Sequence, residues 1–250
     1  MTVFQRVFRR LLATLAVGAA LLAAPSGAEE VPAVAAATPA CNQPAFLVLD
    51  GRSQQPRKVD AAARVLAREL GTRPLFRSAP TSVLEGEFSN AVLVILPLAC
   101  PQQADDVEKR KSWQRLIALT EDSPSRRAMV FAADPDHANP SPVVPGCTRD
   151  AWLGFKGLVS DRDRYFAFLR QIGQSKILDR YGATRVVVMN RPGIVVREIG
   201  APFAPGEYFE LLRFPCAQKM RDLWTSAEFQ QFAEMRKGVV TVKAGTFEAR

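Results

Sequence analysis

The sequence predicts an α+β fold in which two fused β-α-β-β-α-β units pack sheet against sheet as an intramolecular pseudo-dimeric α+β barrel. Two observations carry that expectation: an internal repeat of about a hundred residues, and a recurring order of apolar strand, amphipathic helix and turn in both copies. Composition supplies a third. At 250 residues, 48% hydrophobic and 23% charged, the chain is globular in character, which excludes disordered and collagen-like classes.

Residues 1–28 stand apart from the repeat. Met1 to Arg10 carries Arg6, Arg9 and Arg10 without an acid, Leu11 to Ala24 is apolar or small throughout, and Ser26-Gly27-Ala28 offers a cleavage site. This is the layout of a signal peptide, and the apolar run is shorter than the roughly 18 residues that span a bilayer. The Arg9-Arg10 pair leaves both Sec and twin-arginine export open. The expected location is therefore periplasmic or secreted, in a bacterium, with no stable membrane insertion after cleavage. Removal of the segment lowers the net charge from +8 (33 basic less 25 acidic) to +5 (30 less 25). The remaining charges alternate, as in Asp105 to Lys111, which reads as a solvated helix face. No basic run interleaved with aromatics points to nucleic acid.

Residues 29–42, rich in Ala and Pro, read as a disordered arm. The first repeat covers 43–133. Its opening strand is Phe46-Leu47-Val48-Leu49, five residues after Cys41, and Val59, Ala62, Ala63, Leu66 and Leu70 then form one helical stripe ending at Gly71. A bent strand from Pro74 to Leu84 leads to Glu85-Gly86. A turn and the strand Ala91 to Leu96 follow, closing at Pro97 and Cys100. A polar helix with Trp113 and a last strand at Met129-Val130-Phe131 complete the unit. Residues 134–147 hold Pro135, Pro140, Pro142 and Pro145 and read as a linker.

The second repeat, 148–250, matches in order. Trp152 to Phe155 lies five residues after Cys147, and Tyr165, Phe168, Leu169 and Ile172 form the helical stripe, with Gly182 at its end. Val186 to Val196 is the bent strand, Tyr208 to Leu212 the apolar strand closing at Pro215-Cys216, then Trp224 and Val240-Thr241-Val242. The offset between partners is 106 at Cys41/Cys147, 113 at Glu85/Glu198, 116 at Cys100/Cys216 and 111 at Trp113/Trp224. Each unit is a ferredoxin-like four-stranded sheet with both helices on one face. The other face needs a partner, which the second copy supplies.

Leu84-Glu85-Gly86, Glu210 to Pro215 and Leu223-Trp224-Thr225-Ser226-Ala227-Glu228-Phe229-Gln230 resemble motifs of the dimeric α+β-barrel superfamily, and within it domain of unknown function family 1330. The second half matches better; in the first, Trp113 to Leu116 keeps only the aromatic. The resemblance implies the fold and no reaction. Related barrels include haem-degrading and quinone-forming monooxygenases, an analogy at fold level.

Four exported cysteines favour two disulfides. Pairing within halves, crossed, or like-to-like remains open; in this topology the first and third strands are expected to run parallel, so pairing within halves requires each arm to run back along its sheet. His137, the only histidine, lies in the linker, so neither a Ser-His-Asp nor a zinc ligand set is available. No phosphate loop or dinucleotide fingerprint occurs, and neither cofactor nor metal is expected. Glu85 and Glu198 are candidate catalytic carboxylates, because a pseudo-two-fold axis could bring them to one cavity; exposed hairpin caps are the alternative. Glu210 and Arg213 should face opposite sides of their strand. Phe46, Trp152 and Phe209 are candidate ligand contacts between the sheets, with Trp113 and Trp224 as helix aromatics that stack on a ligand or pack on their own sheet. The favoured function is binding of a small apolar or aromatic molecule between the sheets by a monomeric pseudo-dimer. The alternatives are a cofactor-free monooxygenase- or isomerase-like enzyme, and a structural protein with a filled interior.

Overall fold

The computed structural model describes residues 41, 43–86, 90–121, 126–133, 142–188, 195–199 and 204–249. The predicted signal peptide, nearly all of the arm, His137 and residues 134–141 of the linker lie outside them. The first half runs β1 (Ala45–Arg52), α1 (Pro56–Glu69), β2 (Ser82–Glu85), β3 (Ala91–Leu98), α2 (Lys111–Ala118) and β4 (Arg127–Ala132). The second runs β5 (Ala151–Val159), α3 (Arg162–Ser175), α4 (Ile177–Arg180), β6 (Thr184–Val188), β7 (Val195–Ile199), β8 (Glu207–Phe214), α5 (Ala217–Thr225), α6 (Ala227–Met235) and β9 (Val240–Glu248). Local chemistry sets the helix ends. Pro56 opens α1, Asp161 accepts from the Arg164 amide, and Ser226 caps α6 by accepting from Phe229. Gly71 adopts positive φ just after α1, as the predicted helix stop requires, whereas the Tyr165 stripe helix already ends at Ser175, with Lys176 in the left-handed region, and Gly182 follows the short α4. The segment Asp105 to Arg110 is not the predicted helix face: it contains a 3-10 turn at Val107–Lys109 whose Val107 is buried.

The sheets are β3-β1-β4-β7 and β2-β9-β5-β8-β6. Their order shows a feature the sequence did not: the second strand of each unit crosses over. In the first half, Leu75 and Ser78 still bond along β3 (Leu75 N to Ile95 O, Leu93 N to Ser78 O), but β2 then pairs with β9 of the other sheet. In the second half β6 pairs with β8 while β7 pairs with β4. Each half thereby hands one strand to its sibling. Helices cover the outer faces, and the inner faces meet through Phe46, Val48, Phe131, Trp152, Phe209 and Phe247 among others.

Register corrects two expectations. β1 and β3 are antiparallel, as are β5 and β8, so the start of the first strand lies beside the end of the third. Cys41–Cys100 and Cys147–Cys216 accordingly pair within halves, with Cα atoms 5.1 and 5.2 Å apart, and no arm runs back. The repeat offset also differs from the sequence match. It is 106 at the first strand (Ala45 to Ala151) but 116 at both the third (Leu98 to Phe214) and the last (Ala132 to Glu248). Trp113 therefore corresponds to Phe229, not Trp224, and the last strand lies five residues beyond its predicted counterpart.

One contact marks the pseudo-two-fold axis. Asp50 and Lys156 are repeat equivalents, and they bond to each other across the sheets, Lys156 Nζ to Asp50 Oδ1 and Oδ2 at 2.7 and 2.9 Å. Both are mostly buried. Arg127 and Glu207 bridge the same end of the barrel through contacts of 3.1–3.3 Å. Removing one member of the axial pair costs the other this short, mostly buried ion pair, so Asp50→Ala is expected to lower stability in urea unfolding by about 2–3 kcal/mol. The doubly reversed D50K/K156D protein should recover most of it; no recovery would refute direct pairing. Non-reducing peptide mapping should return the two within-half disulfides. Replacing either pair by Ser should cost about 4 kcal/mol for loops of this length, read as a lowered urea midpoint.

Candidate functional site

The interior between the sheets is filled. Phe76 stacks on Phe247 at 4.7 Å and approaches Trp152 at 5.7 Å, while Phe131 stacks on Phe209 at 5.8 Å. The space lined there by Leu93, Gly154, Phe209 and Phe247 amounts to about 10 Å³, room for one water at most. Gly154 belongs to this packing: a Cβ on it would meet the Phe247 ring at 3.2 Å. Phe46, Trp152 and Phe209 thus face each other's sheets as predicted, but as core.

The two candidate carboxylates do not meet. Glu85 pairs in register with Ala244, whose side chain belongs to the helix-side core of the second half. Glu198 pairs with Met129, which belongs to the inter-sheet core. The true counterpart of Glu198 is Val83 and that of Glu85 is Ile199, so a one-residue slip puts them on opposite faces. Glu198 is exposed. Glu85 is bonded by the Arg236 guanidinium. Trp113, on α2, is buried in the helix-side core of the first half. Trp224 is half-buried on α5 between Phe155 and Phe229, with ring centroids 6.2 and 5.3 Å away. It also borders a groove of about 420 Å³ between α5 and β2, where Ser82 and Thr246 hydroxyls bond each other at 2.8 Å. The corresponding place in the first half is closed by Arg197, which donates to the Ala104 carbonyl at 2.7 Å.

A different cavity has the chemistry of a site. Between the outer face of the second sheet and helices α3 and α6 lies a space of about 70 Å³, partly open to solvent. Tyr165, Phe168 and Phe232 wall it on the helix side, and Tyr208, Glu210 and Arg236 lie on or beside the sheet. β8 alternates so that Tyr208, Glu210 and Leu212 point this way while Phe209 and Leu211 point into the barrel. Glu210 faces the Arg185 guanidinium at 3.7 Å, and the Tyr165 and Tyr208 rings lie 5.7 Å apart. Burial, reinforced by neighbouring Tyr165 and Glu210, holds the Tyr208 hydroxyl well above the ordinary phenol range. It stays a neutral donor, and it makes no hydrogen bond to the described residues. No group of three His, Cys, Asp or Glu side chains among the described residues is placed to hold a metal, and all four cysteines are oxidised.

Comparison of the halves at the register-derived offsets isolates this place. Where the second half has Tyr165, Tyr208, Glu210 and Arg236, the first has Val59, Val92, Val94 and Thr120. Those three valines are at most 4% exposed in a continuous aliphatic core. Sequence reading singled out Glu210 but not Tyr165, Tyr208, Arg185 or Arg236, because it applied an offset of 111 beyond the second cysteines, whereas the strand register carries 116 through to the last strand.

Among solved structures, an anthrone oxidase-like protein superposes with a TM-score of 0.50 at 13% identity, covering 83% of this chain and 92% of that one. A candidate monooxygenase of Fusobacterium nucleatum gives 0.49 at 8% identity, with the same coverages. At these identities the likeness is one of fold, and it agrees with the two-sheet α+β barrel described above. No family model matches the chain, and no curated protein does.

The buried phenol makes stability fall with alkali. Above the unfolded pKa near 10 the unfolded chain releases a proton that native Tyr208 retains, so unfolding becomes more favourable as pH rises. Tyr208 should contribute a loss of about 1.4 kcal/mol per pH unit above that point. Denaturant midpoints at pH 10 and 11 check this; equal losses in wild type and Tyr208→Phe would contradict it.

Proposed function

We propose that the protein binds a small planar, largely apolar molecule carrying an acceptor oxygen, in the cavity between α3, α6 and the second sheet. The observation that carries this reading is the neutral Tyr208 hydroxyl set in an aromatic-lined cavity where the sister half has a valine in solid core. Apolar walls supply affinity and a few placed polar groups supply orientation, the usual economy of a small-molecule site. The space is about half of the roughly 150 Å³ that holds benzene in an engineered cavity, so the ring enters from the open side and its neighbours Phe168 and Phe232 yield.

A catalytic second reading has its own footing. Tyr208 and Arg236 are donors beside one cavity, an arrangement that stabilises a developing enolate or phenolate oxygen. The fold neighbour that superposes at 0.50 is named as anthrone oxidase-like, and the cofactor-free enzyme alternative would be of that kind. We further propose export of the chain, which the two disulfides suit; among the described residues no helix is long and apolar enough to cross a membrane. Kinship of both halves with domain of unknown function family 1330 rests on the motif residues around Glu210 and Trp224. We also propose a monomeric pseudo-dimer without a nucleic-acid partner, since each sheet has its partner in the same chain.

Acetophenone tests the binding reading. Its titration, followed by tyrosine and tryptophan fluorescence, should saturate. Tyr208→Phe should weaken it about fivefold to tenfold, the value of one hydrogen bond, and Ala233→Trp, at a position of α6 that lines the cavity, should abolish it by filling the space. Affinity unchanged in both variants would sink the reading.

A further inference from the structure

We infer that Glu85 of the first half is the positioning residue for Arg236, so that the cavity of the second half is a composite site present once per chain. The inference rests on the binding reading above and names what organises that site. It begins with the strand exchange. β2 leaves the first half to pair with β9, and a bulge between Val83 and Glu85 turns Glu85 toward the helix layer. There it accepts from the Arg236 guanidinium. Arg236 is 9% exposed and borders the cavity, whereas the Glu85 carboxylate keeps access to solvent.

A buried guanidinium without a carboxylate is costly. Without Glu85, the Arg236 side chain would swing out to water and leave the cavity wall. The sister half shows the alternative solution. Its exchanged strand β7 presents Ile199 at the position of Glu85, packed into the aliphatic core, and Thr120 stands in place of Arg236 with its hydroxyl bonded to the Ile117 carbonyl at 2.7 Å. Charge occurs at both positions in one half and at neither in the other. The duplication has thus kept one half as scaffold, which contributes a carboxylate, and one half as receptor.

The experiment compares Glu85→Ala, Glu85→Gln and Glu85→Asp with wild type, using acetophenone and its hydrocarbon analogue ethylbenzene as probes. Wild type should bind one acetophenone per chain. Glu85→Ala and Glu85→Gln should weaken acetophenone at least fivefold while changing ethylbenzene less than twofold, and Glu85→Asp should restore most of the loss. Equal weakening of both probes, or two sites per chain, overturns the inference. A second readout needs no ligand: the Glu85 contact should slow exchange of the Arg236 Nη2 protons in wild type, and their resonance should vanish in Glu85→Gln and return in Glu85→Asp. If wild type binds neither probe, the binding reading fails, while an unchanged Arg236 resonance in Glu85→Gln refutes the role of Glu85 by itself.

Discussion

The structure depends on the burial of one apolar sheet face against another. A β-α-β-β-α-β unit places both helices on the same side of its sheet, so the opposite side, here Phe46, Val48 and Phe131 in one half and Trp152, Phe209 and Phe247 in the other, is left uncovered. Each such side chain is worth about 1.5–3 kcal/mol when withdrawn from water, a large fraction of the stability of a small domain. The exchanged strands follow from the same constraint. By crossing to the sibling sheet, β2 and β7 cover sheet edges that would otherwise present unpaired backbone groups.

Fusion into one chain changes what symmetry permits. In a dimer of identical units, a residue on the two-fold axis faces its own copy, and two carboxylates or two ammonium groups there would repel. Here Asp50 and Lys156 occupy equivalent positions with opposite charge and satisfy each other. The same freedom acts in the helix layers. The first half retains Val59, Val92 and Val94 in a tight aliphatic core, while the second accommodates two tyrosines, two arginines and a glutamate around a cavity. The first half thus keeps a continuous aliphatic core, while the second carries partly buried polar groups beside its core.

The disulfides reinforce this division. Each ties the start of a half's first strand to the end of its third, and none links the halves. The covalent staples thus stabilise each sheet separately, whereas cohesion between sheets comes from ring packing, the exchanged strands and the ion pairs at one end of the barrel. The cavity beside α3 and α6 lies in the outer layer of one half, away from that inter-sheet seam.

The repeat, the class of fold, the helix stripes and the helix stop at Gly71 were all legible in the amino-acid order, because periodicity and turn chemistry are local properties. The sheet-facing aromatics were legible too, since alternation fixes which side chains share a face. What alternation cannot state is the pairing of strands distant in the chain. The antiparallel relation of β1 and β3, which decides the disulfides, was misjudged, and so was the correspondence of Glu85 with Glu198. An error of one residue in register moves a side chain through the sheet, which is why Glu85 sits under the helices and Glu198 on the barrel side. The cavity of Tyr165, Tyr208, Glu210 and Arg236 joins α3, β8 and the end of α6, and the strand carrying Glu85 comes from the other half. Local sequence determined that there would be two halves with an apolar flank each; only tertiary packing decided that the described side chains of the two flanks interlock, and that the polar-lined cavity lies on the outer side, because volume left between elements depends on how side chains from remote segments fit.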